Sequence, residues 1–156
     1  MTNEYRVLSP EDRKVTGEAL QSALVELIGL SLQAKQAHWN VHGHNFRSVH
    51  LHLDEVVSLA RAYTDTVAER AAAIDVSPDG RAETVARDAA KARFGNGPVA
   101  DKKVVNGMAD LLGDIIGRLR EGIKETEESD PVSQDILIQA TQDLEKHHWM
   151  FKAQMS

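Results

Sequence analysis

The chain has 156 residues, 42% hydrophobic but only 4% aromatic, with a formal charge of −6 and no cysteine. That size and an apolar content dominated by Ala, Val, Leu and Ile suit one domain, residues 1–156, with a helical core. The missing cysteines exclude disulfides, Cys-based zinc sites, iron–sulfur ligation and a thiol nucleophile, and the acidic balance argues against tight sequence-independent nucleic-acid binding by the body of the protein while suiting the attraction of cations.

The N-terminal stretch MTNEYRVLSP carries Glu4 and no apolar segment of signal-peptide type. No run of about 18 apolar residues offers a membrane span. A soluble, cytoplasmic protein is the expectation. Residues 1–8 read as a short lead. Ser9-Pro10-Glu11-Asp12 then starts a helix, with Ser as cap, Pro in the first helical position and acids in the first turn. Leu20, Ala23, Leu24, Leu27, Ile28 and Leu32 carry the three-and-four spacing of an amphipathic helix reaching about His38. A loop from Asn40 to Asn45, containing Gly43, leads to a second helix over about 46–75. Ser77-Pro78-Asp79-Gly80 breaks the chain, and residues 81–93 predict a short helix.

Gly95-Asn96-Gly97-Pro98 is a second breaker. A third long helix is expected over about 99–128, despite glycines at 107, 113, 117 and 122, each costing about 1 kcal/mol relative to Ala. Their recurrence suggests close helix approach; local flexibility is the blander reading. Asp130-Pro131 repeats the cap-and-proline start, and a fourth helix runs to a short end at 154–156. The expected fold is all-α: a four-helix bundle with a short extra helix in the long crossover between the second and third helices.

Five of the seven histidines fall within HWNVHGHNFRSVHLHLDE, residues 38–55. On the second helix His50 and Asp54 are four apart, as are Asp65 and Glu69, and these four share an arc of about 100°. His38 can fold back beside His50 across the loop. Mixed nitrogen and carboxylate donors suit iron, manganese or zinc better than magnesium or calcium. Asp54 and Asp65 are nevertheless about 16 Å apart along the helix axis. One ion cannot bind both. Either these are two separate features, or a two-fold axis brings a second subunit's Asp65 and Glu69 to this subunit's His38, His50 and Asp54. The plain alternatives are solvated acids, with Glu69 paired to Arg70, and a surface His50–Asp54 pair. His42, His44 and His52 read as surface or metal-adjacent residues, not ligands. Glu145-Lys146-His147-His148 has the Glu-x-x-His spacing of di-iron bundles, but only once, so chance is the simpler reading. There is no Gly-x-Ser-x-Gly elbow and no P-loop.

His38-Trp39-Asn40-Val41, Gly43, Phe46, His50, Asp54-Glu55, Asp65 and Ala68-Glu69-Arg70, with Ser133-Gln134-Asp135, Leu144-Glu145-Lys146 and Trp149, resemble the Dps family of mini-ferritins over about residues 9–153. The resemblance implies a ferritin-like subunit, twelve of which form a hollow homo-oligomeric shell with the crossover helix at a two-fold interface. It implies a ferroxidase centre built from His38, His50 and Asp54 of one subunit with Asp65 and Glu69 of its neighbour. There Fe²⁺ is oxidised, usually by hydrogen peroxide in preference to oxygen, and the ferric oxide is stored inside, which suppresses hydroxyl radical formation. Imidazole ligands must be unprotonated, so activity is expected to fall as the pH drops below about 6. Trp39 is placed as a radical interceptor or as core packing. Asp130 and Asp135 match a three-fold pore for iron entry, less acidic here because Gln139 stands one turn beyond Asp135; Asp130 is equally a helix cap. Lacking a Lys/Arg-rich tail, the chain is expected to bind DNA weakly or not at all. Two other classes stay open: a DNA-coating nucleoid protein, and a helical shell that holds zinc without redox turnover.

Overall fold

The computed structural model describes residues 5–155, so residues 1–4 of the expected lead and residue 156 of the expected end lie outside the described residues. Ser9 caps the first helix as its sequence suggests, its hydroxyl accepting from the Asp12 N–H at 3.1 Å with Pro10 in the first turn, and α1 runs Pro10–Asn40. A two-residue strand, β1 (Val41–His42), leads to α2 (Phe46–Ala73). The crossover carries α3 (Ala82–Asp88) and β2 (Val99–Ala100). Helices α4 (Asp101–Thr126) and α5 (Pro131–Ala153) complete the chain. α1 packs along α2 and α4, and α4 along α5, around fully buried Leu20, Leu27, Leu53, Met108, Leu112 and Phe151. Burying each such side chain contributes about 1.5–3 kcal/mol. The four-helix reading with an extra crossover helix is the observed architecture.

The β1–β2 pair, parallel with Val41 opposite Val99 and His42 opposite Ala100, is the element that helix periodicity could not announce. It puts the starts of α2 and α4 at the same end of the bundle. The crossover must therefore travel back along α2, a helix about 42 Å long, which is why it is long. The pair also moves the start of α4 from the expected 99 to Asp101. Next to it, the Asp101 carboxylate accepts from the Asn45 N–H at 2.8 Å and is held below the usual carboxylate range chiefly by that bond. Gly43 makes this possible: its φ is +129°, and a Cβ there would lie 2.6 Å from the Asp101 carboxyl carbon.

The short helix stops at Asp88, five residues before the expected end, because the backbone beyond it is held by α1 side chains. Gln33 donates to Ala90 O at 3.0 Å and accepts from the Arg93 N–H at 2.9 Å, and Glu26 accepts from the Ala90 N–H at 3.0 Å. Glu26, 1% exposed, also pairs with Arg118, so its buried charge is fully engaged. By length and average composition α1 could cross a membrane, but its apolar side chains pack in the bundle core. Of the four α4 glycines, only Gly107 marks an approach too close for another residue: a Cβ would meet Phe94 at 2.7 Å.

Candidate metal centre

His38 ends α1 and His50 begins α2, and the connection between them folds the two imidazoles face to face. Their ring centroids are 3.7 Å apart with 14° between planes. Each Nδ1 lies 2.7 Å from the other residue's backbone carbonyl oxygen. A carbonyl can only accept, so both Nδ1 atoms carry a proton, and in the neutral ring Nε2 is the nitrogen whose lone pair is left for a metal. Metal-binding histidines are oriented in this way by their second ring nitrogen. Phe46 also stacks on His50, its centroid 4.9 Å away.

Asp54, one turn along α2, accepts from Lys35 Nζ of α1 at 2.6 Å. Lys35 chiefly, with His38 and His50 adding to it, holds the Asp54 carboxyl below its usual range. The acid is thus in the electrostatic field of the two rings but occupied by a lysine that any cation must displace. Asp65 and Glu69, on the same side of α2, are exposed and make no hydrogen bond or ion pair among the described residues. Glu69 does not pair with Arg70. Arg70 turns to α5 instead, donating to Asp130 at 2.7 Å and to Ser133 Oγ at 3.0 Å. One subunit therefore presents two free ring nitrogens and a carboxylate at one end of a helix face and two unpartnered acids at the other.

The remaining predicted positions are distributed as follows. Trp39 is 68% exposed, so it does not pack in the core of its own subunit. Asp130 caps α5, accepting from the Val132 and Ser133 N–H groups, and is 4% exposed. Burial alone would raise its pKa, but the Ser133 hydroxyl and Arg70 hold it below the usual range. Asp135 is exposed and accepts from Gln139 Nε2 at 2.7 Å. Glu145, the acid of the Glu-x-x-His spacing at 145–148, pairs with Arg120 of α4 at 2.5 Å.

A second cluster escaped the sequence reading. Among the described residues, three metal-ligand atoms within 4.8 Å of one another occur only at His52, Glu55 and His147. His52 Nε2 and His147 Nδ1 are 2.9 Å apart. Burial chiefly lowers the pKa of both rings, against the pull of Glu55. The available signal was the His-x-x-Glu spacing at 52–55; nothing local says that His147, 92 residues beyond Glu55, packs against it.

A model of the ferritin-like domain family matches residues 17–156. The DNA protection during starvation protein of Mycolicibacterium smegmatis is 34% identical over 152 residues, covering 95% of this chain and 81% of that protein. DNA protection during starvation protein 2 of Deinococcus radiodurans is 32% identical over 143 residues, and the match spans 92% of this chain but 59% of that longer relative. The Dps structure from Microbacterium arborescens in its high iron form superposes with a TM-score of 0.91 at 29% identity, covering 96% of this chain and 98% of the other.

Proposed function

The chain belongs to the Dps group of ferritin-like proteins, whose role is iron storage, and on that footing we propose that it oxidises Fe²⁺ at sites completed between two subunits and stores the ferric product inside a hollow dodecamer. The observation that carries this reading is the reciprocal His38–His50 pair, with both Nε2 lone pairs free beside Asp54, on the same helix face as the unpartnered Asp65 and Glu69. In the proposed assembly His38, His50 and Asp54 of one subunit meet Asp65 and Glu69 of its neighbour across a two-fold axis.

Iron is the substrate here. Two Fe²⁺ ions each give up one electron to hydrogen peroxide, which takes up two protons and leaves as two waters; oxygen is the slower oxidant. The neutral imidazoles hold the ferrous ion without excess negative charge, and the carboxylates favour the ferric product as its charge rises. Lys35 must release Asp54 before that oxygen can serve as a ligand. Trp39, exposed at the end of α1 beside His38, is placed to be oxidised in preference to the core by any radical escaping the site. An iron route past the start of α5 uses Asp135, while Asp130, engaged by Arg70, shapes it. Zinc competes for the same nitrogens and acids. The proposal places the protein in the cytoplasm, with DNA binding weak or absent on a chain of charge −6.

Adding Fe²⁺ and peroxide under anaerobic conditions and following ferric absorbance tests the reading. Rapid ferric formation by the wild type and its loss in His50→Ala/Asp54→Ala are expected. Equal rates would refute it, and zinc uptake without ferric formation would favour the redox-silent shell. Gel filtration at the size of a monomer would also refute it.

A further inference from the structure

We infer that His52, Glu55 and His147 form a second divalent transition-metal site, of the zinc class, held entirely within one subunit and clamping α2 to α5. His52 and Glu55 are three apart on α2, so their side chains project from neighbouring positions of one face. That face is turned about 160° from His50 around the helix axis, so the two histidine pairs cannot share an ion. His147 reaches the same point from α5. Its Nδ1 is 2.9 Å from His52 Nε2, and a Glu55 carboxylate oxygen and one nitrogen of each ring lie within 4.8 Å of one another.

The spacing is close to that of a coordination shell. With metal–nitrogen bonds of about 2.0–2.1 Å, neighbouring ligands lie about 2.9 Å apart around an octahedral ion and about 3.3 Å apart around a tetrahedral one. The two rings already stand at that edge, and only Glu55 has to close in. Glu55 is free to do so: it is exposed and has no hydrogen-bond or ion-pair partner among the described residues. The rings are less free. His52 stacks on fully buried Phe151 with centroids 4.1 Å apart and 13° between planes, so its orientation is set by core packing.

The ring that now donates in the His–His contact must pass its proton to its other nitrogen. For His52 that is Nδ1, which faces the Gln154 amide nitrogen at 3.4 Å; turning the amide gives up its 3.1 Å bond to Met150 O and presents an accepting oxygen there. Asp143, which bonds Tyr63 nearby, adds negative charge to the neighbourhood of His147, while Lys146 opposes it. Two imidazoles, one carboxylate and open positions for water suit Zn²⁺, Co²⁺ or Fe²⁺ and not Ca²⁺ or Mg²⁺, which prefer all-oxygen shells.

The test uses assembled, metal-stripped protein carrying His50→Ala/Asp54→Ala, which removes two of the five donors of the proposed inter-subunit centre, and titrates it with Co²⁺ while recording the visible d–d bands. Uptake of one tightly bound Co²⁺ per subunit with bands of nitrogen ligation is expected. Adding Glu55→Gln is expected to weaken it by at least about tenfold, and adding His147→Ala to abolish it. Zn²⁺ should raise the melting temperature of the background protein and not of the His147→Ala derivative. Absence of the band in the background protein, or an unchanged isotherm on adding Glu55→Gln, overturns the site. Because Glu55 is exposed and outside the core, its substitution decides the matter even where His147→Ala impairs folding.

Discussion

Two polar faces of α2 are built from the same residue types and end in opposite conditions. On the face toward α5, His52 meets His147, Tyr63 donates to Asp143 at 2.6 Å, and Arg70 bonds Asp130 and Ser133. On the other, His50 and His38 spend only their Nδ1 atoms on each other's backbone, Asp54 has one lysine, and Asp65 and Glu69 have no partner among the described residues. The core stripe of Val49, Leu53, Val56, Ala60, Val67 and Ala71 separates them on one side. Glu55 apart, the face toward α5 is satisfied internally, and a helix that leaves its other polar face unsatisfied is shaped for a neighbour on that side. Histidine and acid content alone does not distinguish the faces; their hydrogen-bond partners do.

The contrast is broken most severely on the open face. His50→Ala/Asp54→Ala should slow ferric formation by on the order of 100-fold, since ligand removal exceeds the tenfold to hundredfold cost of losing an outer-shell partner. Stopped-flow absorbance reads it, and the α5-facing cluster should still bind Co²⁺.

On the closed face the largest effect is on stability. Arg70→Ala leaves Asp130 buried without its cation, which costs about 3 kcal/mol and lowers the melting temperature by about 10 °C. The native pair holds the Asp130 carboxyl below its usual range, so its contribution is present above the ordinary carboxylate pKa and is lost as the pH falls. The loss of melting temperature in the variant should therefore be full near neutral pH and shrink as the pH falls through the carboxylate range in a thermal series. An unchanged melting temperature would mean that the closed face is not what binds α2 to α5.

Lys35→Met sharpens the open face further. Freeing Asp54 from an ion pair worth roughly 1 kcal/mol should tighten Fe²⁺ or Zn²⁺ binding about fivefold by calorimetry. Weaker binding would show that Lys35 assists the acid. The smallest effect is expected at Tyr63, whose phenol is pushed up to about 12 by burial and then by Asp143. A raised folded-state pKa gives stability that is intact below the ordinary tyrosine pKa near 10 and fades as the pH climbs toward 12. Tyr63→Phe should flatten the alkaline end of the stability curve, and an unchanged slope would place the titration elsewhere.

Much of this was legible in the chain. Ser9-Pro10 and Asp130-Pro131 mark helix starts by side-chain chemistry that acts within three residues, and both caps form. The three-and-four spacing of leucines carries the core, and the four-residue steps at 50–54 and 65–69 place those side chains on one face without reference to the rest of the fold. The β1–β2 pair and the early end of α3 were not legible, because both are set by contacts between segments far apart in sequence: Val41 with Val99, and Gln33 with residues 90 and 93. His147 belongs to the same class. The lysine on Asp54 was hidden for another reason, since Lys35 on α1 has no spacing relation to a helix across a turn.

The measurement closest to the central claim mixes two inactive proteins. His50→Ala/Asp54→Ala lacks one half of the proposed site, and Asp65→Ala/Glu69→Ala lacks the other. Dissociating both, mixing them in equal amounts, reassembling and adding Fe²⁺ with peroxide should restore about a quarter of the wild-type ferric rate, because half the two-fold pairs then hold one intact site of two. A mixture as inactive as its parents, with reassembly verified by size, would contradict a centre shared between subunits.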